Sequence, residues 1–144
     1  MTQATKPQLP IGYWLKQADN LLTEQIDHAQ AVHGVSRSEW QVLNLLMEHG
    51  HASRAAIFAT MRTFVDEANL DAILASLAAR GWVEPQQEMA TRTDVFQLTA
   101  EGQRQHAAIF ATQKEVRQRA MQGISAEEYA TVVRVLQQMV SNLS

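Results

Sequence analysis

A mainly α-helical chain with one small β-hairpin is the fold class this sequence predicts, and three observations predict it. Apolar residues recur at i, i+3 and i+4 through most of the 144 residues. Ser and Thr stand where helices should start, and Gly where they should stop. The period changes only once, between Trp82 and Leu98, where β-branched and aromatic residues take over.

The polar stretch "MTQATKPQLP", residues 1–10, reads as a flexible arm broken by Pro7 and Pro10, not as a leader peptide. A first helix is expected over 11–33. Ile11, Trp14, Leu15, Ala18, Leu21, Leu22, Ile26, Ala29 and Val32 stripe one face, and Gly34 ends it. At 1.5 Å per residue it is about 33 Å long. In "GVSRSEWQVLNLLMEHG", Ser36 and Glu39 have capping-box spacing, Trp40, Leu43, Leu46 and Met47 form the apolar stripe, and Gly50 stops the helix. "HAS" reads as a link. Ser53 caps a third helix, Arg54 to about Met61, with Ile57 and Phe58 inward. Thr63 with Asp66 suggests another capping box. A fourth helix is therefore expected from about Phe64 to Arg80, with Leu70, Ile73, Leu74 and Leu77 inward and Gly81 closing it.

"WVEPQ" and "TDVFQL" read as two strands separated by "QEMATR". Thr99 then caps a helix that runs to about Met121. Gly123 breaks it, and Ser125 with Glu128 caps the last helix, striped by Tyr129, Val132, Val133, Leu136, Met139, Val140 and Leu143.

Three short helices followed by a hairpin are the plan of a winged helix-turn-helix, here about 36–98. Helices at about 11–33 and 100–143 flank it within a single domain, 11–144. So small a winged unit cannot cover the apolar stripes of both end helices. Stripes of that size mark an interface, and two copies of one chain can bury them about a two-fold axis. The expected architecture is thus a winged helix-turn-helix flanked by N- and C-terminal dimerisation helices, forming a homodimer.

Composition narrows the function classes. Apolar residues make up 46% and charged residues 19%, as in an ordinary globule. No apolar run approaches the ~20 residues of a membrane helix, so no membrane partner is expected. The chain has no cysteine, which excludes disulfides, thiolate metal sites and thiol sensing, and suits a cytoplasmic protein. There is no nucleophile–base pair, phosphate-cradling glycine loop or clustered carboxylate pair, so no enzyme and no cofactor are expected. His49 and His51 are too few for a metal site.

The net charge is −3, so any grip on double-stranded DNA must come from local basic residues. Arg54 begins the third helix, a place that often meets backbone phosphate, Arg62 lies in the following turn, and Arg92 lies in the wing loop; these are the candidate DNA contacts. On the reading helix, Asn69 can pair bidentately with adenine and Ser76 can bond a base edge, beside a strip of Ala68, Ala72, Ala75 and Ala79. The same helix carries Asp66, Glu67 and Asp71. Two readings of these acids stand open. They stabilise the positive end of their own helix, or they tune DNA binding by accepting from cytosine or repelling non-specific DNA.

"SEWQVLNLL", "LASLAARGWVE", Arg92 and "FQLTAEG" together carry a resemblance to the MarR family of winged-helix transcription regulators. Leu77 to Gly81 matches the family's Leu-x-x-x-Gly before the wing, and Leu98, Thr99, Ala100, Glu101 and Gly102 match its Leu-Thr-x-x-Gly after it. The resemblance spans Ile11 to Leu143. It implies a homodimeric regulator that reads a palindromic site with a recognition helix and wing, its affinity open to adjustment by a small aromatic or lipophilic effector. The wing Asp-x-Arg of the family is here Ala90, Thr91 and Arg92, so the Arg remains and its bracing Asp is missing. Effectors in the family sit between the first two helices and the winged lobe, which makes Tyr13, Trp14 and Trp40 the candidate pocket residues; aromatics at helical spacing serve equally as core. The rival expectation is a winged-helix module that binds protein or ligand and has lost most DNA affinity.

Overall fold

A computed structural model of the chain describes residues 8–88 and 93–144. Residues 1–7 of the expected arm, and Met89 to Arg92 of the wing loop, lie outside the described residues. Helix α1 (Ile11–Val32) leads to α2 (Arg37–His49), strand β1 (Ala52–Ser53), α3 (Arg54–Met61) and α4 (Glu67–Ala79). Strands β2 (Val83–Glu88) and β3 (Thr93–Leu98) follow, then α5 (Ala100–Ala120) and α6 (Ala126–Leu143).

The capping residues set most of these bounds. Ser36 accepts from Glu39 N while Glu39 accepts from Ser36 N, and Ser125 and Glu128 repeat that reciprocal pair at α6. Ser53 caps α3 through Ala56 N, and Thr99 caps α5 through Gly102 N. Gly50 closes α2 at a φ of 78°, which a residue with a Cβ adopts only under strain.

Two expectations need correction. The Thr63–Asp66 capping box does not form. Asp66 is itself the N-cap of α4, accepting from Asn69 N at 2.8 Å, so the helix begins at Glu67 rather than near Phe64. Phe64 N and Val65 N instead bond back to Met61 O, in a turn that follows α3. The second correction concerns "HAS". Ala52 and Ser53 are not a bare link but a strand that pairs antiparallel with Phe96 and Val95.

The sheet therefore has the order β1-β3-β2. In its outer pair Val83 faces Leu98 and Pro85 faces Phe96. Pro85 cannot donate to a ladder, and β2 is an edge strand, where that lack is tolerated.

One core joins these elements. Val42, Leu43, Leu45 and Leu46 of α2, Ile57 and Met61 of α3, and Leu70, Leu74 and Leu77 of α4 are buried. Trp82, Val83 and Leu98 close it from the sheet, and Ile109 enters from α5. Ile73, expected inward, packs against the core only partly buried, because α4 turns it toward the groove beside α2. The root of the wing is stitched to α5 by hydrogen bonds. Thr99 N donates to Trp82 O at 3.0 Å, and Thr99 Oγ1 donates to Gly81 O.

The outer helices behave differently. α1 lies along α5, joined by Arg119 Nη2 to Gln25 Oε1 at 2.8 Å and His33 Nε2 to Thr112 Oγ1 at 3.1 Å. Only Ala29 and Gln30 of α1 are buried, and α6 has no buried residue at all. Among the described residues no helix is long and apolar enough to cross a membrane.

Candidate nucleic-acid interface

The α3–α4 pair positions the residues that the sequence nominates. Asp66 caps α4, which leaves Asn69 exposed one turn in, with Ala68, Ala72, Ala75 and Ala79 also exposed. Ser76 is not on that open face. It is half-buried, and its Oγ donates to Glu39 Oε2 of α2 at 3.5 Å. Arg80 reaches the same carboxylate at 3.5 Å and lies over the Trp82 ring, 5.0 Å from its centroid. Ser76, Glu39 and Arg80 thus join α2 to the end of α4. Between these helices runs a groove of about 440 Å³ whose lining includes Ser36, Phe64, Asn69, Ala72 and Ser76.

The acids of α4 have separate tasks. Asp66 is a cap. Asp71 accepts from Arg54 Nε at 2.6 Å, and Glu67 lies 3.8 Å from Arg54 Nη1. The Arg54 hydrogen bond holds the Asp71 carboxyl below the usual carboxylate range, so it stays ionised at neutral pH. Arg62 follows α3 as its C-cap and is exposed. Arg37, the residue after the Ser36 cap, is engaged elsewhere, gripping both carboxylate oxygens of Asp27 at 2.9 and 3.0 Å. The structure thus gathers Arg54, Glu67 and Asp71 on one side of α4 and places Asn69 with the half-buried Ser76 along the groove toward α2. Arg92 lies outside the described residues.

The aromatic residues divide into two sites. Tyr13 and Trp14 stack edge-on at 5.1 Å on the exposed first turn of α1. Trp40 instead lies flat on His106 of α5, 4.7 Å between centroids. It also lines a cleft of about 220 Å³ with Asn44, Glu48, Thr60 and Phe64, in which Tyr13 and Trp14 take no part. His106 Nε2 meets Asn44 Oδ1 at 3.0 Å, and Asn44 Nδ2 donates to Glu48 Oε1 at 3.2 Å. Burial pushes the His106 imidazole below its ordinary pKa, with Glu48 opposing weakly. Sequence reasoning missed this seam. Asn44 and His106 are 62 residues apart, and no local periodicity links them. Among the described residues, no three metal-ligating side chains converge.

A helical pair followed by an antiparallel hairpin, with a short third strand closing the sheet, defines a winged helix-turn-helix. Its long flanking helices are those of MarR-type structures. The chain is similar to MepR, a transcription regulator of the Staphylococcus aureus multidrug efflux pump MepA, with 16% identity, a TM-score of 0.81, and coverage of 94% of this chain and 100% of that one. It is similar to the YusO protein of Bacillus subtilis at 17% identity and a TM-score of 0.77, covering 91% and 92%. It is also similar to wild-type MarR from E. coli, in its apo form, at 17% identity and a TM-score of 0.71, covering 91% and 97%. No protein-family model matches the sequence, and no curated protein matches it.

Proposed function

We propose that this chain is a cytoplasmic, homodimeric transcription regulator that binds double-stranded DNA. α4 enters the major groove and the wing, with Arg92, reaches the neighbouring groove. Arg62 contacts backbone phosphate, and Asn69 is the principal base reader, since Ser76 is engaged with Glu39. The observation that carries this reading is the pairing of a winged lobe with uncovered apolar helices. Ile11, Trp14, Leu21, Val132, Val140 and Leu143 are all more than half exposed, and α6 has no fully buried residue. A second copy covers these faces and sets two reading helices at a fixed separation, which suits a palindrome. The MarR-like fold supports the same reading, and a MepR mutant of that fold is described as bound to oligodeoxyribonucleotide. The Trp40 cleft, between α2 and the end of α3 with Trp40 stacked on His106 of α5, is where a small aromatic or lipophilic effector would act on that separation.

A second reading is a winged-helix binding module with little DNA affinity. The neutralised Arg54 and the acidic start of α4 favour it. Selection from a random duplex pool at two salt concentrations, with molar mass measured by light scattering, separates the two. The regulator enriches a palindrome with half-sites about one helical turn apart and shows a negative salt slope. No enrichment at low salt, or a monomeric mass at micromolar concentration, overturns the proposal.

A further inference from the structure

We propose that Asp71 is a specificity-determining residue that withholds Arg54 from the DNA backbone and so suppresses sequence-independent binding. This rests on the DNA-binding reading above.

Arg54 is the first residue of α3, a position from which a guanidinium meets phosphate when the helix pair lies on a duplex. Here every nitrogen of its fork is turned toward α4. Nε donates to Asp71 Oδ1 at 2.6 Å, Nη2 to the Glu67 carbonyl at 3.4 Å, and Nη1 lies 3.8 Å from Glu67 Oε1. A guanidinium fork recognises carboxylate and phosphate by the same geometry. Asp71 therefore occupies the place a phosphate oxygen would take. With Glu67 beside it, the corner carries two negative charges against one positive.

The clamp is open to solvent. The Arg54, Glu67 and Asp71 side chains keep 35%, 68% and 60% of their exposure. Exposed pairs of this kind contribute little to stability, so holding the fold together is a poor account of three converging contacts. What the clamp does change is the long-range field. It removes a cation from the DNA-facing corner of a chain whose net charge is already −3. Sequence-independent affinity falls with each phosphate left unneutralised, whereas a base contact such as that of Asn69 is unaffected. The ratio of specific to non-specific binding rises.

A double-mutant cycle tests this with full-length protein, Asp71→Asn and Arg54→Gln, titrated by anisotropy against a random-sequence duplex across a salt series. Asp71→Asn is expected to tighten binding several-fold at low salt and to steepen the slope of log K on log salt by ~0.9 per chain, one phosphate each. Arg54→Gln alone should leave that slope unchanged, and in its background Asp71→Asn should lose the slope effect. Glu67→Gln, removing the longer contact, should act in the same direction and more weakly. The proposal is overturned if Arg54→Gln flattens the wild-type slope, if Asp71→Asn weakens binding, or if Asp71→Asn acts equally in both backgrounds. Failure of every variant to bind any duplex overturns the DNA-binding reading itself, and this proposal with it.

Discussion

Gly102 offers the sharpest test of how the winged lobe is joined to α5. It sits in the first turn of that helix, buried against the Trp82 backbone. A Cβ built there falls 2.9 Å from the Trp82 carbonyl carbon and 3.2 Å from its Cα, and closer still to the carbonyl oxygen. Ordinary contact begins at 3.4 Å, and the obstacle is backbone, so no side-chain rotation relieves it. Gly102→Ala must push α5 off the strand root. Overpacking costs up to about 3 kcal/mol. Weakening the Thr99 N to Trp82 O bond adds about 1 kcal/mol, and the better helix propensity of alanine returns about 1 kcal/mol. The net loss is about 3 kcal/mol, or roughly 6–12 °C in Tm for a chain of this size. Urea and thermal denaturation measure it. Gly12→Ala is the control, because nothing lies within 4 Å of a Cβ there; it should be neutral or stabilising by up to about 1 kcal/mol. A Gly102→Ala protein as stable as wild type would refute the close approach and the placement of α5 that depends on it.

Three further outcomes are expected. Val132→Glu with Val140→Glu should halve the molar mass seen by light scattering while the winged lobe keeps its cooperative unfolding, since neither residue is buried within one chain. Asp66→Ala should cost about 1 kcal/mol in urea denaturation through loss of the α4 cap, whereas Thr63→Ala should change nothing measurable, because Thr63 caps no helix. His106 has a pKa below its unfolded value because of burial. Its contribution to stability is therefore complete above the unfolded histidine pKa of about 6.5 and declines as pH falls from there toward the folded pKa. His106→Gln removes the titration and keeps a donor for Asn44, so acid sensitivity of Tm between pH 7 and pH 5 should shrink; an unchanged profile would place the sensitivity elsewhere.

The helices were legible because their signals are local. Ser36, Ser53, Thr99 and Ser125 each cap the helix that their spacing predicts, and Gly50 stops α2 as expected. The start of α4 misled because Thr63 and Asp66 fit a capping box as well as Asp66 fits a lone cap; only the return of Phe64 and Val65 to Met61 decides between them. β1 was invisible because two residues have no period, and its partner lies more than forty positions away. The site was legible in composition but not in geometry. Arg54 and Asp71 both stood out in the sequence, yet their 2.6 Å contact depends on the angle between two helices. Ser76 looked like a base reader because its neighbours are alanines, and Glu39, which engages it, comes from another helix.

Ser53 has a double role: it ends the strand that pairs with Val95 and begins α3 as its cap. No spacer separates the wing from the helix pair, so a tilt of one carries the other with it. The reading head is in effect a single casting. In the dimer proposed above, any adjustment of the gap between two such heads is then made where α1 and α5 lie side by side, and a small molecule gains leverage only by shifting α5 against the head, as through the Trp40–His106 stack.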